Sequence, residues 1–388
     1  MKVAVVTAFP PSKVTLNEYG YHLVKNFVQN SEVSELILLS DKTSEAKQLD
    51  FDQKEKVKVK ECWRFNSYTT IFSVLNAVRE EQPDVILFNL QFVKFGDKKT
   101  PSALGLLLPM ILRFFGYKTV VLLHNILEQV DLEKAGFTES KFMQKIYNFI
   151  GTNITRCILK ANKVAVTIHK YVDVLNAKYH TKNVMLIPHG TFESVKNPNF
   201  EIKSGPKQIM AFGKFGTYKK VEILIDAVEI VRKTNPEKLE VVIAGTDSPN
   251  TPGYLDGVQE KYKNVEGIIF TGYVEENNVE RIFTDSTIVV FPYTSTTGSS
   301  GVLHQAGSYG KAVIMPDLGD LALLIKDEGY KGEFFNPESA DSLAIAIDKI
   351  ISNDTYRKEL AIANFQAASA LSMDKIIMMY IECFKSIQ

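Results

Sequence analysis

Short runs of aliphatic and β-branched residues recur along the chain, with room for about one helix between each pair. In the first half they are KVAVVTA (2–8), SELILLS (34–40), DVILFNL (84–90), KTVVLLH (118–124), KVAVTI (163–168) and NVMLIP (183–188). In the second half they are QIMAFGKF (208–215), LEVVIAG (239–245), GIIFTGY (267–273), TIVVFPY (287–293) and AVIMP (312–316). Near-continuous apolar runs, rather than strict alternation, are what strands need when helices cover both faces of a parallel sheet. Helical periodicity falls between them, over Asn17–Gln29, Val221–Thr234 and Asn277–Asp285, and again near the end over Ser372–Phe384. The pattern predicts an α/β protein with two Rossmann-like, doubly wound domains in tandem. The strand ending at Pro188 is followed by a polar segment, Phe192–Pro206, before the β–α series restarts, which places the linker there. The expected division is 1–195, 196–370 and a C-terminal helix in 371–388 that folds back across the linker. Ligands of such sheets sit at the carboxyl ends of the strands, so the two domains are expected to face one another across a cleft that holds the site. The polar stretch Asp41–Lys60 reads as a surface excursion.

Length and charge bound this picture without redirecting it. The 388 residues suit two domains with substantial cores, and 45 basic side chains balance 45 acidic ones. The balance hides an asymmetry: residues 1–190 carry 25 Lys/Arg against 18 Asp/Glu, and the remainder 20 against 27. A basic half attracts an anionic partner such as a membrane surface, and two unlike surfaces sharing one chain is the plainer reading. Cys62, Cys157 and Cys383 lie far apart with no metal-ligand spacing, which fits a reduced cytoplasmic setting. The segment from Met1 to Pro11 lacks the shape of a signal peptide, and the longest apolar run, Ala103–Leu112, is too short to span a bilayer.

The chemistry concentrates in Ser286–Ile314, STIVVFPYTSTTGSSGVLHQAGSYGKAVI. An apolar strand ends in a Pro turn, and a glycine- and hydroxyl-rich loop opens directly into a helix closed by Gly310. The first turn of a helix leaves backbone N–H groups unpaired at the positive end of the dipole, so Gly298, Ser299, Ser300 and Gly301 form a candidate phosphate-binding junction.

Four ordered segments, GKFGTYKKVEILIDA, IAGTDSP, FTGYVEENNVERIF and VVFPYTSTTGSSGVLHQAGSYGKAVI, resemble the C-terminal domain of GT-B glycosyltransferases, specifically retaining glycosyltransferase family 4. The first half is similar in outline, with KVAVVTAFPP, PDVILFN, LLHN and IPHG in order. The resemblance implies a GT-B fold and transfer of a hexose-type sugar from a nucleotide-diphosphate donor, with retention, to a glycan or lipid-linked acceptor. It implies that Lys214 and Lys219 grip the diphosphate, where the family carries Arg and Lys, with Lys220 beside them. Lysine at 214 gives up the bidentate guanidinium fork. Two family glutamates, one before the glycine loop and one on the following helix, are here Thr297 and Gln305, which leaves hydroxyl and amide groups for the donor sugar and ribose. His304 reads either as a helix-surface residue or as a ligand contact. His124, at the end of KTVVLLH, matches a family histidine near the transferring sugar; Asn125 and Glu128 follow as candidate acceptor contacts. The family's Gly-Gly pair in the first loop is replaced by the Thr15–Glu18 stretch, and Gly20 comes too late to stand in.

Other constellations carry less. Asp50-Phe51-Asp52 has metal-binding spacing but sits in a charged excursion, and reads as solvated surface. The expected mechanism therefore uses no metal or cofactor, with lysines and helix amides supplying the positive charge. There is no GxGxxG after the first strand, no GxxxxGK[ST] and no GxSxG, which argues against a dinucleotide dehydrogenase, a P-loop enzyme or a serine hydrolase. His180 and His189 read as structural. Between residues 140 and 182, Lys141, Lys145, Arg156, Lys160, Lys163, Lys170, Lys178 and Lys182 face a single acid, Asp173, and interleave with Phe142, Tyr147, Phe149 and Ile150. That is either a peripheral membrane contact or an amphipathic helix with its basic side in water. The expected partners are a nucleotide-sugar donor and a glycan or lipid-linked acceptor, with no nucleic acid; the setting is cytoplasmic, at most peripheral on the inner face of the membrane. The alternatives are a non-catalytic nucleotide-sugar-binding protein, suggested by the missing glutamates, and another GT-B enzyme such as an epimerase or phosphorylase.

Overall fold

The computed structural model describes residues 1–47, 49–126, 140–192, 198–248, 250–295 and 300–388. The chain divides into two compact units, Met1–His189 with Met373–Gln388 (unit 1) and Gly190–Ser372 (unit 2). Glu128, Thr297, Gly298 and Ser299 lie outside the described residues.

Unit 1 holds seven strands, β1 (Lys2–Val6), β2 (Glu35–Asp41), β3 (Val57–Trp63), β4 (Val85–Leu90), β5 (Thr119–Leu123), β6 (Lys163–Val166) and β7 (Val184–Leu186). They pair in the order β3-β2-β1-β4-β5-β6-β7, every pair parallel. The helices are α1 (Asn17–Gln29), α2 (Thr70–Glu81), α3 (Lys99–Leu106), α4 (Leu108–Phe114), α5 (Lys141–Ile158) and α6 (His169–Tyr179). All residues of β4 and β5 are buried, as expected where a parallel sheet is covered on both faces. The sequence reading missed β3. Its alternation of Lys58, Lys60 and Glu61 with apolar residues belongs to an edge strand with one wet face, so a stretch read as an excursion ends inside the sheet. Lys58 and Lys60 pair at 2.8 Å with Glu81 and Glu80 of α2, which supplies the polar cover for that edge.

Unit 2 holds β8 (Lys207–Phe215), β9 (Leu239–Asp247), β10 (Ile268–Gly272), β11 (Ile288–Val290), β12 (Ala312–Pro316) and β13 (Gly332–Phe335), in the order β10-β9-β8-β11-β12-β13 and again parallel. Its helices are α7 (Glu222–Arg232), α8 (Tyr254–Lys261), α9 (Glu276–Asp285), α10 (Gly301–Ser308), α11 (Gly319–Glu328), α12 (Ala340–Ile351) and α13 (Asp354–Ala370). Leu224, Ile225, Val228 and Val231 of α7 form a helical-period stripe packed into the same core as Ile209, Ile243 and Ile347. Asn353 caps α13 by accepting from the Tyr356 amide at 3.0 Å. β13 is the second strand missed from sequence: four residues at the sheet edge, of which Phe335 alone is buried, leave almost no apolar signal.

The last helix, α14 (Met373–Lys385), belongs to unit 1. Its buried stripe of Ile376, Ile377, Tyr380, Ile381 and Phe384 packs on α1, with Phe384 stacked on Phe27 at 5.8 Å between ring centres. Among the described residues no helix is long and apolar enough to cross a membrane.

Candidate functional site

In unit 2 the strand order reverses between β8 and β11, the place where a doubly wound sheet leaves a crevice at its carboxyl end. β8 leaves the sheet through Gly216 and returns in a short loop tied to the segment after β11. Lys220 N–H donates to the Pro292 carbonyl at 2.9 Å, and Thr294 N–H donates to the Tyr218 carbonyl at 2.8 Å. This clamp places the Lys219 ammonium 4.7 Å from the Tyr293 ring centre and 5.8 Å from that of Tyr218. Gly213 gives it room: φ is +132°, and a Cβ there would stand 3.0 Å from Lys219 Nζ.

Burial pulls the Lys219 pKa below the ordinary lysine value. What sets this lysine apart is its lack of an oxygen partner. Lys47 donates to the Phe9 carbonyl at 3.0 Å and to Asp41 at 3.3 Å, Lys94 to the Thr15 carbonyl at 2.9 Å, and Lys311 to the Thr284 and Ser286 carbonyls at 2.9 and 3.0 Å. The Lys219 ammonium has no hydrogen-bond acceptor and no carboxylate within ion-pair distance among the described residues. Two aromatic faces compensate a desolvated ammonium only in part, so the site favours an incoming anion.

The α10 N-terminus is coupled to the same place. Tyr293, whose ring carries the Lys219 ammonium, has its hydroxyl near the side chain of Ser300, the residue that precedes α10. No side chain caps that end, and Gly301 and Val302 head the helix with amides that have no intrahelical acceptor. Ser300 is thus near the ring that carries the Lys219 ammonium. Lys214 lies exposed at the end of β8, paired in register with Thr246. Gln305 stands half-buried one turn into α10. Lys220 does not join them: its ammonium donates to the Gly216 carbonyl at 2.7 Å and lies over the Tyr254 ring, so it holds the turn.

His304 is neither a surface residue nor placed at the α10 start. It is buried, with Nδ1 2.8 Å from the Tyr330 hydroxyl and Nε2 3.7 Å from Glu328. Burial, with the neighbouring Asp327 charge, pushes the Glu328 carboxyl up to about 8. At neutral pH the approach of His304 to Glu328 is therefore mainly contact with a protonated acid rather than an ion pair.

In unit 1 the strand order reverses between β1 and β4. Asn89, fully buried on β4, donates through Nδ2 to Thr7 Oγ1 at 3.0 Å and to the Leu16 carbonyl at 3.4 Å. Its Oδ1 is thereby left as acceptor, and His124 Nε2 approaches it at 2.7 Å. This fixes the neutral Nε2–H tautomer and leaves the Nδ1 lone pair available. Burial, and then the charges of His189 and Lys94, hold the His124 pKa well below the ordinary histidine value. The ring packs edge-on against Tyr19 at 4.6 Å. Beside it, Asn125 Oδ1 is buried without a hydrogen-bond partner, an acceptor open to a ligand hydroxyl.

The first loop reaches this place by polar anchors. Asp41 takes the Phe9 amide at 3.3 Å and also the Ser12 hydroxyl, and Asn17 donates to the Ser12 carbonyl at 2.6 Å. Leu16 adopts φ +64°, a left-handed backbone normally left to glycine, in the stretch where a glycine pair was expected. Gly20 serves packing instead, since a Cβ there would stand 2.5 Å from the Ala8 carbonyl oxygen.

Sequence reasoning missed Asn89, Lys94, Tyr218 and Tyr293 as parts of these sites. Asn89 interrupts an otherwise apolar strand, VILFNL, and a polar residue at such a position was the available signal. Lys94 gave none: a lysine in a loop is ordinarily exposed, and this one is fully buried.

Residues 206–353 match the sequence profile of the family described as glycosyl transferases group 1. A search of curated protein sequences gives no match. Solved structures are similar over the whole chain. Sucrose-phosphate synthase from Thermosynechococcus elongatus superposes with TM-score 0.75 at 14% identity, covering 100% of this chain and 98% of its own. A glycosyltransferase from Rickettsia africae gives 0.70 at 16%, covering 100% and 98%. The Anabaena protein HepE, in complex with UDP-glucose, gives 0.70 at 15%, covering 100% of both chains. At these identities the likeness establishes the fold, which is GT-B.

Proposed function

We propose, from the match of residues 206–353 to the glycosyl transferases group 1 profile, that the protein is a glycosyltransferase. It moves a hexose-type sugar from a nucleotide-diphosphate donor, held by unit 2, to a hydroxyl of a glycan or lipid-linked acceptor. The observation that carries this reading is the Lys219 ammonium, desolvated between two tyrosines and without an oxygen partner among the described residues, with the Tyr293 hydroxyl near Ser300 at the start of α10. A diphosphate supplies the missing counter-charge and accepts from the Gly301 and Val302 amides. Lys214 adds a second cation and Gln305 meets a ribose hydroxyl; Thr297, Gly298 and Ser299, expected from the sequence to share in donor binding, lie outside the described residues.

In the transfer the bond from the sugar's anomeric carbon to the phosphate oxygen breaks, and the acceptor oxygen forms the new one. The acceptor proton passes to a phosphate oxygen of the departing nucleoside diphosphate, on the same face of the sugar. Charge grows on the diphosphate as the bond breaks, so a cation and helix amides already in place stabilise the transition state more than the ground state. His124, its Nε2 held by Asn89, accepts a hydrogen bond through Nδ1 from a hydroxyl of the acceptor, and Asn125 offers a second acceptor. A second reading, a nucleotide-sugar-binding protein without turnover, draws on Gln305 standing where the resembled family carries a glutamate.

A panel of UDP-, GDP- and ADP-sugars read by thermal shift and by release of nucleoside diphosphate tests both. The transferase reading expects stabilisation by one nucleoside diphosphate and its release when an acceptor is added. Stabilisation without release across a broad acceptor set would favour the binding protein. If none of the nucleotides binds, the assignment of unit 2 fails. Lys214→Ala should weaken both binding and release; unchanged values would remove Lys214 from the site.

A further inference from the structure

The outward face of α5 is unusual for a helix that packs on a sheet. Gly151, Thr155 and Ile158 form its buried side. At about 100° per residue, Phe142, Lys145, Phe149 and Arg156 fall within an arc of about 60° on the opposite side. Phe142 and Phe149 are 71% and 72% exposed, and Ile150 is 44% exposed. The helix has three basic residues, Lys141, Lys145 and Arg156, and no acidic one. Two phenylalanines in the middle of a cationic face contribute nothing to the core behind them, because they point away from it.

Lys99, at the start of α3, lies over the Tyr147 ring at 4.3 Å, on the side of α5 away from Phe142 and Phe149, so α3 leaves the phenylalanine face uncovered. α5 runs from the carboxyl edge of the unit 1 sheet, where His124 follows β5, back toward the start of β6 at Lys163. The aromatic residues therefore lie on the half of the helix nearest the edge that carries His124. Of the other basic residues of 140–182, Lys163 opens β6, and Lys170 and Lys178 are in α6, outside this face.

We propose that this face of α5 docks unit 1 on a bilayer surface rich in anionic lipid. Phe142, Phe149 and Ile150 enter the headgroup–acyl boundary while Lys141, Lys145 and Arg156 meet lipid phosphates. A soluble polyanion would use the cations and leave the phenylalanines idle; a neutral apolar partner would leave the cations idle. The combination selects an interface that is charged at its surface and apolar beneath. The proposal stands on unit 1 alone, so it and the donor assignment of unit 2 fail separately.

The test is sedimentation of the full chain with phosphatidylcholine vesicles, with and without phosphatidylglycerol, at low and high salt. The wild type should bind the anionic vesicles and lose most binding in neutral ones. Phe142→Ser with Phe149→Ser should lower partition at least tenfold. Lys141→Ser with Lys145→Ser should lower it about 25-fold at low salt, about fivefold for each lysine, with a smaller salt dependence. Phe114→Ser is the control: Phe114 is 86% exposed, and its neighbour Arg113 donates to the Lys160 carbonyl at 2.6 Å, beyond the far end of α5. That end lies about 24 Å along the helix from Phe142. All substituted side chains are exposed, and unchanged thermal unfolding of each variant shows that the fold is retained. No preference for anionic vesicles, an unaffected phenylalanine pair, or an equal loss in Phe114→Ser would overturn the proposal. Loss with the lysine pair alone would do so too, by marking a general polyanion surface.

Discussion

Replacing Lys219 with methionine separates a ligand-binding cation from a structural one. The methionine stem fills much of the same space between Tyr218 and Tyr293 and removes only the charge. In the free protein two effects oppose. The ammonium at 4.7 Å from the Tyr293 ring contributes about 1 kcal/mol of cation–π attraction. Its desolvation, the reason its pKa is pulled down, costs a comparable or larger amount because no carboxylate offsets it. Stability should therefore stay within about 1 kcal/mol of wild type, or a few degrees in melting temperature. Binding behaves differently. A hydrogen bond to a charged group contributes about 1.5–3 kcal/mol, and unit charges about 4 Å apart at an effective dielectric of about 20 attract by about 4 kcal/mol. Loss of the ammonium should weaken nucleoside diphosphate by about 2–4 kcal/mol, or roughly 30- to 1000-fold. Isothermal titration with the preferred diphosphate, beside a urea melt of the same variant, reads both numbers. An affinity within twofold of wild type refutes the assignment; so does a large loss of stability that accounts for the loss of binding.

Three further outcomes follow from buried groups. Asn89→Leu removes the acceptor that fixes His124 at 2.7 Å; turnover should fall about 10- to 100-fold while donor affinity holds, and unchanged turnover would dismiss the positioning role. The Glu328 carboxyl, pushed up to about 8 from 4.5, loses its proton at lower pH in the unfolded chain, so its contribution to stability is full below about pH 4.5 and lost as pH rises through about 8. Glu328→Gln should remove that decline, at most about 1.4 kcal/mol per pH unit, and parallel stability–pH curves for variant and wild type would contradict it. Lys94, with its pKa lowered to about 7 by burial, is the opposite case. Between about pH 7 and 10.5 the unfolded chain holds the extra proton, so wild-type stability should rise with pH relative to Lys94→Met by up to about 1.4 kcal/mol per unit, and equal slopes would show that Lys94 titrates normally.

The sequence by itself determined the strand order of events: which runs are buried, where helices intervene, and that a glycine-rich loop opens α10 after β11. These follow from local chemistry, because apolar continuity, helical period and unpaired helix amides are properties of neighbouring residues. β3 and β13 escaped because edge strands are half wet, and their sequences resemble loops. The identity of the candidate site was divided in the same way. Lys219 was legible as a cation near the loop, but Lys220 beside it looked the same; only the turn at Gly216 decided that one ammonium faces two tyrosines and the other binds a carbonyl. His124 was legible as a strand-end histidine, whereas its tautomer was decided by Asn89, 35 residues away in the chain. His304 was placed in the interior by Tyr330 and Glu328, which no local pattern connects to it. The basic stretch on α5 was visible as composition, but the outward direction of Phe142 and Phe149 depended on which side of the helix the sheet occupies. Sequence fixes what each segment is able to form; the partner a polar group meets across the sheet, and so its charge state and its use, is decided by the tertiary fold.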